Sequence, residues 1–314
     1  MKTKISVVIL TYNSAGSIEK CLKSLENQTN KNFEVLIVDD DSTDNTLGLI
    51  KRNLENYYFK IKFFRNGAHN ISRGRNIGIK NAETRYVAFL DSDAYADENW
   101  VENILLNFNR DKELVLVGGR EIPIYTNNFS KGNSLNDLTI NKLASNFWAI
   151  KGCNFAIDKD KLDGNIFNEK FIHNEEAEFI ERLNKKGKKY KFDKEIKVHH
   201  ETRSTPAKFI KQIYKYGIWR VFFSFYSNKS RLVDFYPSVL IILSIILMFN
   251  NFLIGLLLIP IFSLVQSIFV IIYNKSSLNF LPYSFLGWLI KNIGWGVGIF
   301  VGLIKYPFIK ENLK

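Results

Sequence analysis

Two aspartates one residue apart, Asp91 and Asp93, are the first candidates for chemistry in this sequence. They follow residues 86–90, a short aromatic and partly β-branched run that is typical of a buried strand. Carboxylates in this position either hold a metal ion or make a turn and start the next helix. Asp97 is a sufficient N-cap for that helix, so neither aspartate is needed to start it.

Two earlier apolar runs also end in polar residues, within segments 5–13 and 33–46. Helical spacing of apolar residues follows each run, and this alternation predicts βαβ units and a mostly parallel sheet. The carboxyl ends of parallel strands share one edge, which gathers all three polar clusters along a single crevice. Each cluster alone is also consistent with a solvated turn or helix cap. Together they predict a nucleotide site with a metal, formed by Thr11, Tyr12, Asn13, Asp39, Asp40, Asp41, Asp91 and Asp93.

The first two-thirds of the chain therefore has an α/β pattern. Its predicted strands lie at 5–13, within 33–46, at 59–66, 86–90 and 113–120, and its predicted helices at 17–28, about 45–55, 72–82 and from near 97. The two cysteines, Cys21 and Cys153, form neither a disulfide framework nor a metal-ligand pattern, which indicates reduced thiols in a cytosolic environment. The first residues lack the form of a signal peptide, so we expect residues 1 to about 200 to be cytosolic.

The last part of the sequence indicates a membrane region. Segments 235–250 and 252–273 are nearly free of charge, and a helical span needs about 20 apolar residues. The first is marginal unless residues 233–250 all contribute. A third segment, 284–304, is interrupted by Lys291 and Asn292, which favours an interfacial or re-entrant helix. We expect two spans near 233–250 and 252–273, with both termini cytosolic; if all three segments span, Lys305, Lys310 and Lys314 lie outside instead.

The chain carries a net charge of +12, and much of it follows residue 180. The lysine-rich segment 185–197 is consistent with contact to nucleic acid, acidic lipid or a phosphorylated substrate. The positive charge lies beside the membrane segments and in no RNA- or DNA-binding motif, so we expect no nucleic-acid partner.

Four segments in order resemble the signature segments of family-2 glycosyltransferases with a GT-A fold. They read SVVILTYNSAGSIEKCLKSLENQT, VLIVDDDSTDNT, SRGRNIGIKNAETRYVAFLDSDA and HNEEAEFIERLNKKG. The resemblance covers about residues 4–205. It implies a GT-A nucleotide-sugar domain, Rossmann-like, at 1–205, followed by a basic amphipathic connector at 206–232 and a membrane region at 233–314.

The resemblance implies that a sugar, of the hexosyl type, is transferred from a nucleotide-diphospho-sugar. A divalent ion such as Mn2+ or Mg2+ stabilises the charge that grows on the diphosphate, and Asp93 would hold it, with Asp91 directly or through water. The other donor-site residues implied by the match are Thr11, Tyr12 and Asn13 near the base, Asp39 and Asp40 on the nucleotide, and Arg73, Arg75 and Asn76 near the diphosphate or sugar. For the arginines, an ordinary solvated helix face is the alternative.

Glu175 and Glu176 lie where the family has Glu-Asp, so Glu176 is the candidate base of an inverting transfer. Glutamate is one methylene longer than the usual aspartate, which leaves Glu175 as the alternative base. An acidic first turn of a helix would need no catalytic role at all. On the same resemblance, Gly152 and Asn154 line the sugar pocket. His200 matches a His-x-x-Arg pattern with Arg203, as a metal ligand, a diphosphate contact or neither.

The expected protein is a multi-pass cell-membrane enzyme with a cytosolic catalytic domain, acting in glycan or glycoconjugate assembly. Its expected partners are the nucleotide-diphospho-sugar, a lipid-linked or membrane-associated acceptor, and membrane lipids. Segment 209–220 lacks the Q-x-x-R-W signature of processive synthases, so we expect one sugar per encounter. The alternatives are transfer to polyprenyl phosphate, which needs no base, and an inactive membrane scaffold of the same fold. A D-x-D phosphatase would need an aspartyl nucleophile at the first strand end, where Thr11, Tyr12 and Asn13 stand.

Overall fold

The computed structural model of the chain describes residues 4–143, 150–164, 166–227 and 234–313. The chain divides into two compact units. The first comprises Met1–Pro123 and Ser145–Glu201, and the second comprises Ile124–Ala144 and Thr202–Lys314. Each unit consists of two stretches of the chain that are separated in the sequence by a stretch of the other unit.

The first unit is built on an eight-stranded sheet with the order β3-β2-β1-β4-β7-β6-β8-β5. Its strands are β1 (Ile5–Thr11), β2 (Phe33–Asp39), β3 (Ile61–Arg65), β4 (Tyr86–Asp91), β5 (Ala94–Ala96), β6 (Leu114–Ile124), β7 (Asn154–Asp158) and β8 (Lys189–Glu201). Strands β1 to β4 are parallel, as predicted. Strand β7 runs antiparallel to β4 and β6, and β5 runs antiparallel to β8. The predicted α/β fold is confirmed, and the antiparallel strands extend it on one side.

Five helices of the first unit lie among the described residues, and they cover the two faces of the sheet. They are α1 (Ile18–Glu26), α2 (Thr46–Arg52), α3 (Ile71–Asn81), α4 (Trp100–Arg110) and α6 (Glu175–Lys185); α5 (Asn128–Leu143) belongs to the second unit. Successive β1 residues enter different cores: Val7 and Ile9 pack with α1 and α4, whereas Val8 packs with α3 and α6. Burial on both faces explains why β1 and β2 read as continuous apolar runs.

The register of the parallel strands aligns the polar clusters. Thr11 lies opposite Asp39, and Leu10 lies opposite Asp91. The three strand ends therefore meet at one edge of the sheet, as the sequence pattern predicted. This edge carries the candidate site.

Two local expectations differ from the structure. Helix α4 begins at Trp100 with Asn99 as its N-cap and no side-chain capping bond, so Asp97 is not the cap. The Asp97 carbonyl instead accepts from the Trp100 amide at 2.9 Å, in a turn before the helix.

The lysine-rich segment 185–197 is largely strand β8 and its preceding turn, where Lys188 and Lys189 pair with Asp163 and Asp111. Much of its charge is therefore neutralised within the first unit.

The second unit is helical in the part of the chain that the structure describes. Its helices are α5 (Asn128–Leu143), α7 (Pro206–Ser227), α8 (Tyr236–Asn250), α9 (Phe252–Tyr273) and α10 (Leu281–Leu313). Helix α5 was not predicted, and it joins the C-terminal helices although it lies between β6 and β7 in the sequence. The predicted connector at 206–232 is helix α7 as far as Ser227; residues 228–232, and Val233 of the first predicted span, lie outside the described residues.

Helices α7 and α10 approach each other closely at glycines. A Cβ on Gly298 would lie 2.3 Å from the Tyr214 carbonyl oxygen, and one on Gly217 would lie 2.4 Å from that of Trp295. Any larger residue would separate the two backbones. Helix α7 therefore packs as part of the bundle.

Two helical segments, Phe252–Tyr273 and Leu278–Phe308, are long and apolar enough to cross a membrane, while α8 is shorter. The second candidate span is therefore the segment predicted to be interfacial, whereas the predicted span near 233–250 falls short of the required length. Large apolar side chains of α8 and α9, such as Phe249, Leu253 and Ile272, are exposed. Polar side chains lie inside: Asn292 donates to Ser263 at 2.9 Å and to Gln266 at 2.8 Å. Apolar exteriors with hydrogen-bonded polar interiors are the arrangement that a lipid solvent favours.

Candidate functional site

Asp91, Asp93 and His200 converge at the polar edge of the sheet. One potential ligand atom from each lies within 4.8 Å of those of the other two. Asp91 ends β4 and Asp93 immediately precedes β5, while the pairing of β5 with β8 puts His200 opposite Ala94. Carboxylate oxygens and an imidazole nitrogen suit a divalent ion such as Mn2+. The donor set therefore fits a metal ion.

A carboxylate on each side of the ring orients His200. Its Nδ1 lies 2.7 Å from Glu121 Oε1, and its Nε2 lies 3.1 Å from Asp93 Oδ1. Burial by itself lowers the pKa of His200, but the hydrogen bonds with Asp93 and Glu121 outweigh it and raise the pKa to about 10. The pocket thus favours a cation among these carboxylates. With Nδ1–H donated to Glu121, the lone pair of a neutral ring would face Asp93 and an ion held there.

The electrostatics of Asp91 also support a metal ion at this position. Burial raises the pKa of Asp91 to about 6, with Asp93 adding to the rise and Arg75 opposing it. Two carboxylates in a partly buried position are costly to ionise together. A bound divalent cation would remove that cost.

The predicted nucleotide residues lie on the neighbouring strand ends. Asp39 accepts from the Thr11 hydroxyl at 2.7 Å and from the amide and hydroxyl of Ser42 at 2.9 and 2.7 Å. Asp40 accepts from the amides of Ala68 and His69 at 3.2 and 2.9 Å. Both carboxylates therefore position the loops beside the strand ends.

Tyr12 is the open member of this group, because 54% of its surface is exposed; its ring packs against His69 in a T-shaped arrangement, at 5.2 Å between centroids. Asn13 adopts a left-handed backbone with a φ of 49°. Its side-chain oxygen accepts from the Thr43 and Asp44 amides at 2.8 and 3.2 Å. Asn13 thus holds the loop before α2, while Tyr12 offers a face on which a base can stack.

Arg75 is buried, with 1% of its surface exposed, so the solvated helix face considered as its alternative is wrong. Its guanidinium pairs with Glu175 and donates to the Gly152 carbonyl at 3.1 Å. Phe89, Phe155 and Phe167 surround the charge. Three of the predicted residues thus meet, with Arg75 binding Glu175 and Gly152 at the base of the site.

The other two residues of the α3 motif differ in their surroundings. Asn76 is buried; it donates to the Phe167 carbonyl and to Glu169 at 2.9 and 3.0 Å and accepts from the Phe167 amide at 2.8 Å. It therefore fixes the segment before α6. Arg73 is exposed on the same helix and is available for a ligand.

Glu176 differs from Glu175 in having no ion pair among the described contacts. Burial, followed by the charge of Glu175, raises the pKa of Glu176 to about 8, against the opposing effect of Arg75. Its neighbour Glu178 is paired with Arg182 at 2.8 Å. A half-buried carboxyl with a pKa near neutrality has the properties of a general base.

Asn154 lies in the core. It accepts from the Trp100 indole N–H at 2.8 Å and donates to the carbonyls of Arg120 and Ile196 at 3.0 Å each. The geometry thus gives Asn154 a role in joining α4 to β6 and β8, with none of its surface exposed.

Sequence reasoning missed Glu121, the partner of His200. It follows Gly118 and Gly119 near the end of β6, outside every segment of the resemblance. The predicted strand stopped at residue 120, whereas β6 continues to Ile124. Only the pairing of β6 with β8 brings Glu121 to His200. A charged residue after an apolar strand was the one available signal.

Comparison with known proteins agrees with this picture. The family model for glycosyl transferase family 2 matches residues 6–166. One relative, from Methanococcus voltae, is 31% identical over 232 residues, which are 68% of this chain and 71% of the relative. Its name is dolichyl N-acetyl-alpha-D-glucosaminyl phosphate 3-beta-D-2,3-diacetamido-2,3-dideoxy-beta-D-glucuronosyltransferase. The minor teichoic acid biosynthesis protein GgaB of Bacillus subtilis is 30% identical over 211 residues, which are 63% of this chain and 23% of GgaB.

Solved structures show the same fold. The mannosyltransferase PcManGT from Pyrobaculum calidifontis, in complex with GDP-Man and Mn2+, has a TM-score of 0.62 at 15% identity and covers 96% of this chain and 88% of its own. GalNAc-T7 with UDP, GalNAc and Mn2+ has a TM-score of 0.52 at 18% identity, and the match covers 65% of this chain and 44% of the GalNAc-T7 chain.

Proposed function

The chain belongs to glycosyltransferase family 2, and we propose that it is a metal-dependent, inverting enzyme that moves a sugar from a nucleotide-diphospho-sugar to an acceptor at a membrane. The convergence of Asp91, Asp93 and His200 carries this proposal. The Mn2+ bound to PcManGT and to GalNAc-T7 supports a divalent ion, with Mn2+ and Mg2+ both consistent with the donor set.

At this site the ion, held by Asp91, Asp93 and His200, would supply positive charge to the departing diphosphate. Tyr12 offers its exposed ring to the base, and Arg73 offers its exposed guanidinium to the phosphates. The loops that Asp39, Asp40 and Asn13 hold would frame the nucleotide.

Glu176 is the proposed base, which takes the proton from the acceptor hydroxyl as that oxygen attacks the anomeric carbon. Attack from the face opposite the diphosphate inverts the anomeric centre. The ion pair between Glu175 and Arg75 supports this assignment, because it commits the Glu175 carboxylate to a buried partner. In this arrangement Arg75 and Glu175 act as positioning residues under the N-terminus of α6.

A lipid-linked acceptor is the proposed substrate class. The name of the Methanococcus relative specifies a dolichyl-linked sugar phosphate as its acceptor. The apolar segments Phe252–Tyr273 and Leu278–Phe308 support a membrane location for the present chain. The multi-pass topology and the cytosolic placement of the first unit are part of this proposal, as is a role in glycan or glycoconjugate assembly.

The test is transfer from a panel of nucleotide-sugars by the full chain in membranes, with and without Mn2+ or Mg2+. Asp93→Asn and Glu176→Gln are compared with the unaltered chain. Consumption of one donor only with metal, lost in Asp93→Asn and strongly reduced in Glu176→Gln, supports the proposal. Full activity in Glu176→Gln would instead point to a phosphate acceptor, which needs no base, or to Glu175 as the base. No turnover of any donor, together with no metal-dependent nucleotide binding, would leave a scaffold of the same fold.

A further inference from the structure

A second group of metal-ligating side chains lies beside the first and shares His200 with it. Potential ligand atoms of Glu121, Cys153 and His200 lie within 4.8 Å of one another. This group has a sulfur donor and a single carboxylate, whereas Asp91 and Asp93 supply two carboxylates. Nothing in the transfer reaction uses Cys153.

We propose that Glu121, Cys153 and His200 form a second metal site, which takes a thiophilic divalent ion such as Zn2+ and, when filled, weakens the binding of the ion at Asp91 and Asp93. The existence of the second site is independent of the proposed function. The weakening rests on it, because it concerns the ion proposed for transfer.

The sheet positions this group. Glu121 lies on β6, Cys153 immediately precedes β7, and His200 lies on β8, and these strands are neighbours in the order β7-β6-β8. Cys153 is 5% exposed, while the side chains of His200 and Glu121 are 18% and 29% exposed. The sulfur is thus the most buried of the three donors, and the carboxylate is the most exposed.

The donor set distinguishes the two sites. Thiolate, imidazole and carboxylate are three ligands that Zn2+ takes in four-coordinate sites, with water in the fourth position. Soft thiolate favours Zn2+ over Mn2+ and Mg2+, for which oxygen donors suffice. The group with Cys153 therefore selects a different ion from the group with Asp91 and Asp93.

The shared imidazole couples the two sites. Its Nδ1 faces Glu121 at 2.7 Å and its Nε2 faces Asp93 at 3.1 Å. A neutral imidazole has one lone pair and one N–H, so it can ligate an ion through only one nitrogen at a time. An ion bound at Nδ1 leaves the N–H at Nε2, where it donates to Asp93 and no longer faces the first ion with a lone pair.

The binding step balances without a redox partner. The ion forms bonds to the Cys153 sulfur and to His200 Nδ1, and it displaces two protons to solvent, one from the thiol and one from Nδ1 of the imidazolium. One proton stays on the ring, at Nε2. Removal of the ion by a chelator returns one proton to the sulfur and one to Nδ1.

The alternative role for Glu121 is only to orient His200 through its hydrogen bond, as carboxylates commonly do behind a metal-bound histidine. In that case Cys153 is a buried thiol with no metal bond. A thiolate–metal bond has a spectroscopic signature that this alternative cannot produce.

The first experiment titrates the purified full chain in detergent with Co2+, as a probe for Zn2+, and records absorbance. We expect a thiolate-to-cobalt charge-transfer band in the near ultraviolet that Zn2+ abolishes. The band should persist in Cys21→Ser, which leaves Cys153 as the one cysteine of the sequence, and disappear in Cys153→Ser. No band in the unaltered chain or in Cys21→Ser would overturn the site, and the Cys21→Ser arm holds even if Cys153→Ser does not fold.

The second experiment follows free Mn2+ by electron paramagnetic resonance while Zn2+ is added. We expect Zn2+ to release bound Mn2+ from the unaltered chain at concentrations that leave Cys153→Ser loaded. Equal release from both proteins would mean direct competition at Asp91 and Asp93 and would overturn the coupling. Failure of the unaltered chain to bind Mn2+ would contradict the proposed function, whereas the cobalt band tests the second site separately.

Discussion

Arg75 and Glu175 form a buried ion pair although 100 residues separate them in the sequence. Arg75 also reaches the Gly152 carbonyl at 3.1 Å, so helix α3, the start of α6 and the segment before β7 meet at one guanidinium. A buried charge that loses its partner keeps its desolvation cost without compensation. This pair therefore holds together the base of the candidate site.

We expect Arg75→Ala to lower the free energy of unfolding of the first unit by about 3–5 kcal/mol, because Glu175 would remain buried and unpaired. Arg73→Ala is the matched control on the same helix. Its side chain is exposed, and its effect on stability should stay within about 0.5 kcal/mol. Denaturant unfolding of the full chain in detergent measures both. Equal stability of the two variants would show that the pair contributes little.

The space at Gly152 gives a second prediction. A Cβ there would lie 2.6 Å from an Arg75 nitrogen, whereas a Cβ on Gly16 would meet nothing within 4 Å. Gly152→Ala should therefore destabilise the first unit by about 1–3 kcal/mol, as overpacking does, and Gly16→Ala should be near neutral. Thermal unfolding distinguishes them. A neutral Gly152→Ala would mean that Arg75 moves aside without cost.

The raised pKa of Glu176 predicts the pH dependence of transfer. A base with a pKa of about 8 is mostly protonated at neutral pH, so kcat/KM should rise with pH and level off above about 8. Glu176→Gln should lower kcat by about 10²–10⁴-fold and remove this rise. Glu175→Gln should lower stability but keep the rise. A pH profile unchanged in Glu176→Gln would assign the base elsewhere.

The hydrogen bond between Glu121 and His200 predicts an effect on metal affinity. Removing a carboxylate that orients a metal-bound histidine typically weakens binding about 10–100-fold, and we expect this loss of Mn2+ affinity in Glu121→Gln. Glu113→Gln, an exposed glutamate just before β6, is the control. Titration of free Mn2+ by electron paramagnetic resonance gives both affinities. Equal affinities would contradict the proposed place of His200 in the metal site.

Two glycines of α10 form a matched pair in the helical unit. A Cβ on Gly298 would lie 2.3 Å from the Tyr214 carbonyl oxygen, whereas one on Gly294 would make ordinary contacts at 3.5 Å. Gly298→Ala should therefore separate α7 from α10 and lower the thermal stability of the detergent-solubilised chain. Gly294→Ala should leave it unchanged or slightly higher. Equal melting temperatures would contradict the close α7–α10 approach.

The parallel half of the sheet could be predicted because its information is local. Short apolar runs alternate with helical periodicity from Ile5 to Asp91, and the runs that become β1, β2 and β4 end in the polar residues that form the site edge. The register that places Thr11 opposite Asp39 follows from strands of equal length buried on both faces. In the parallel half of the sheet, the local sequence pattern and the position of each strand in the fold therefore agree.

The sequence pattern did not specify a residue's surroundings where these come from distant segments. The arginine spacing on α3 was consistent with a solvated face, yet Arg75 is buried among phenylalanines. Cys153 showed no metal-ligand spacing in the sequence, yet it lies beside His200 and Glu121. Helix α5 precedes β7 in the chain but packs with the C-terminal helices.

The sequence by itself determined the parallel strands, the helices that alternate with them, the family and the types of residue available at the site edge. Only the tertiary structure decided which distant residues meet. Asp93 contacts His200 across 107 positions at the site, and Asn136 contacts Ser284 across 148 positions in the helical unit. The physical reason is that periodicity reports the burial of a residue relative to its near neighbours. Contacts between distant segments depend on strand order and helix packing, which the whole chain settles together.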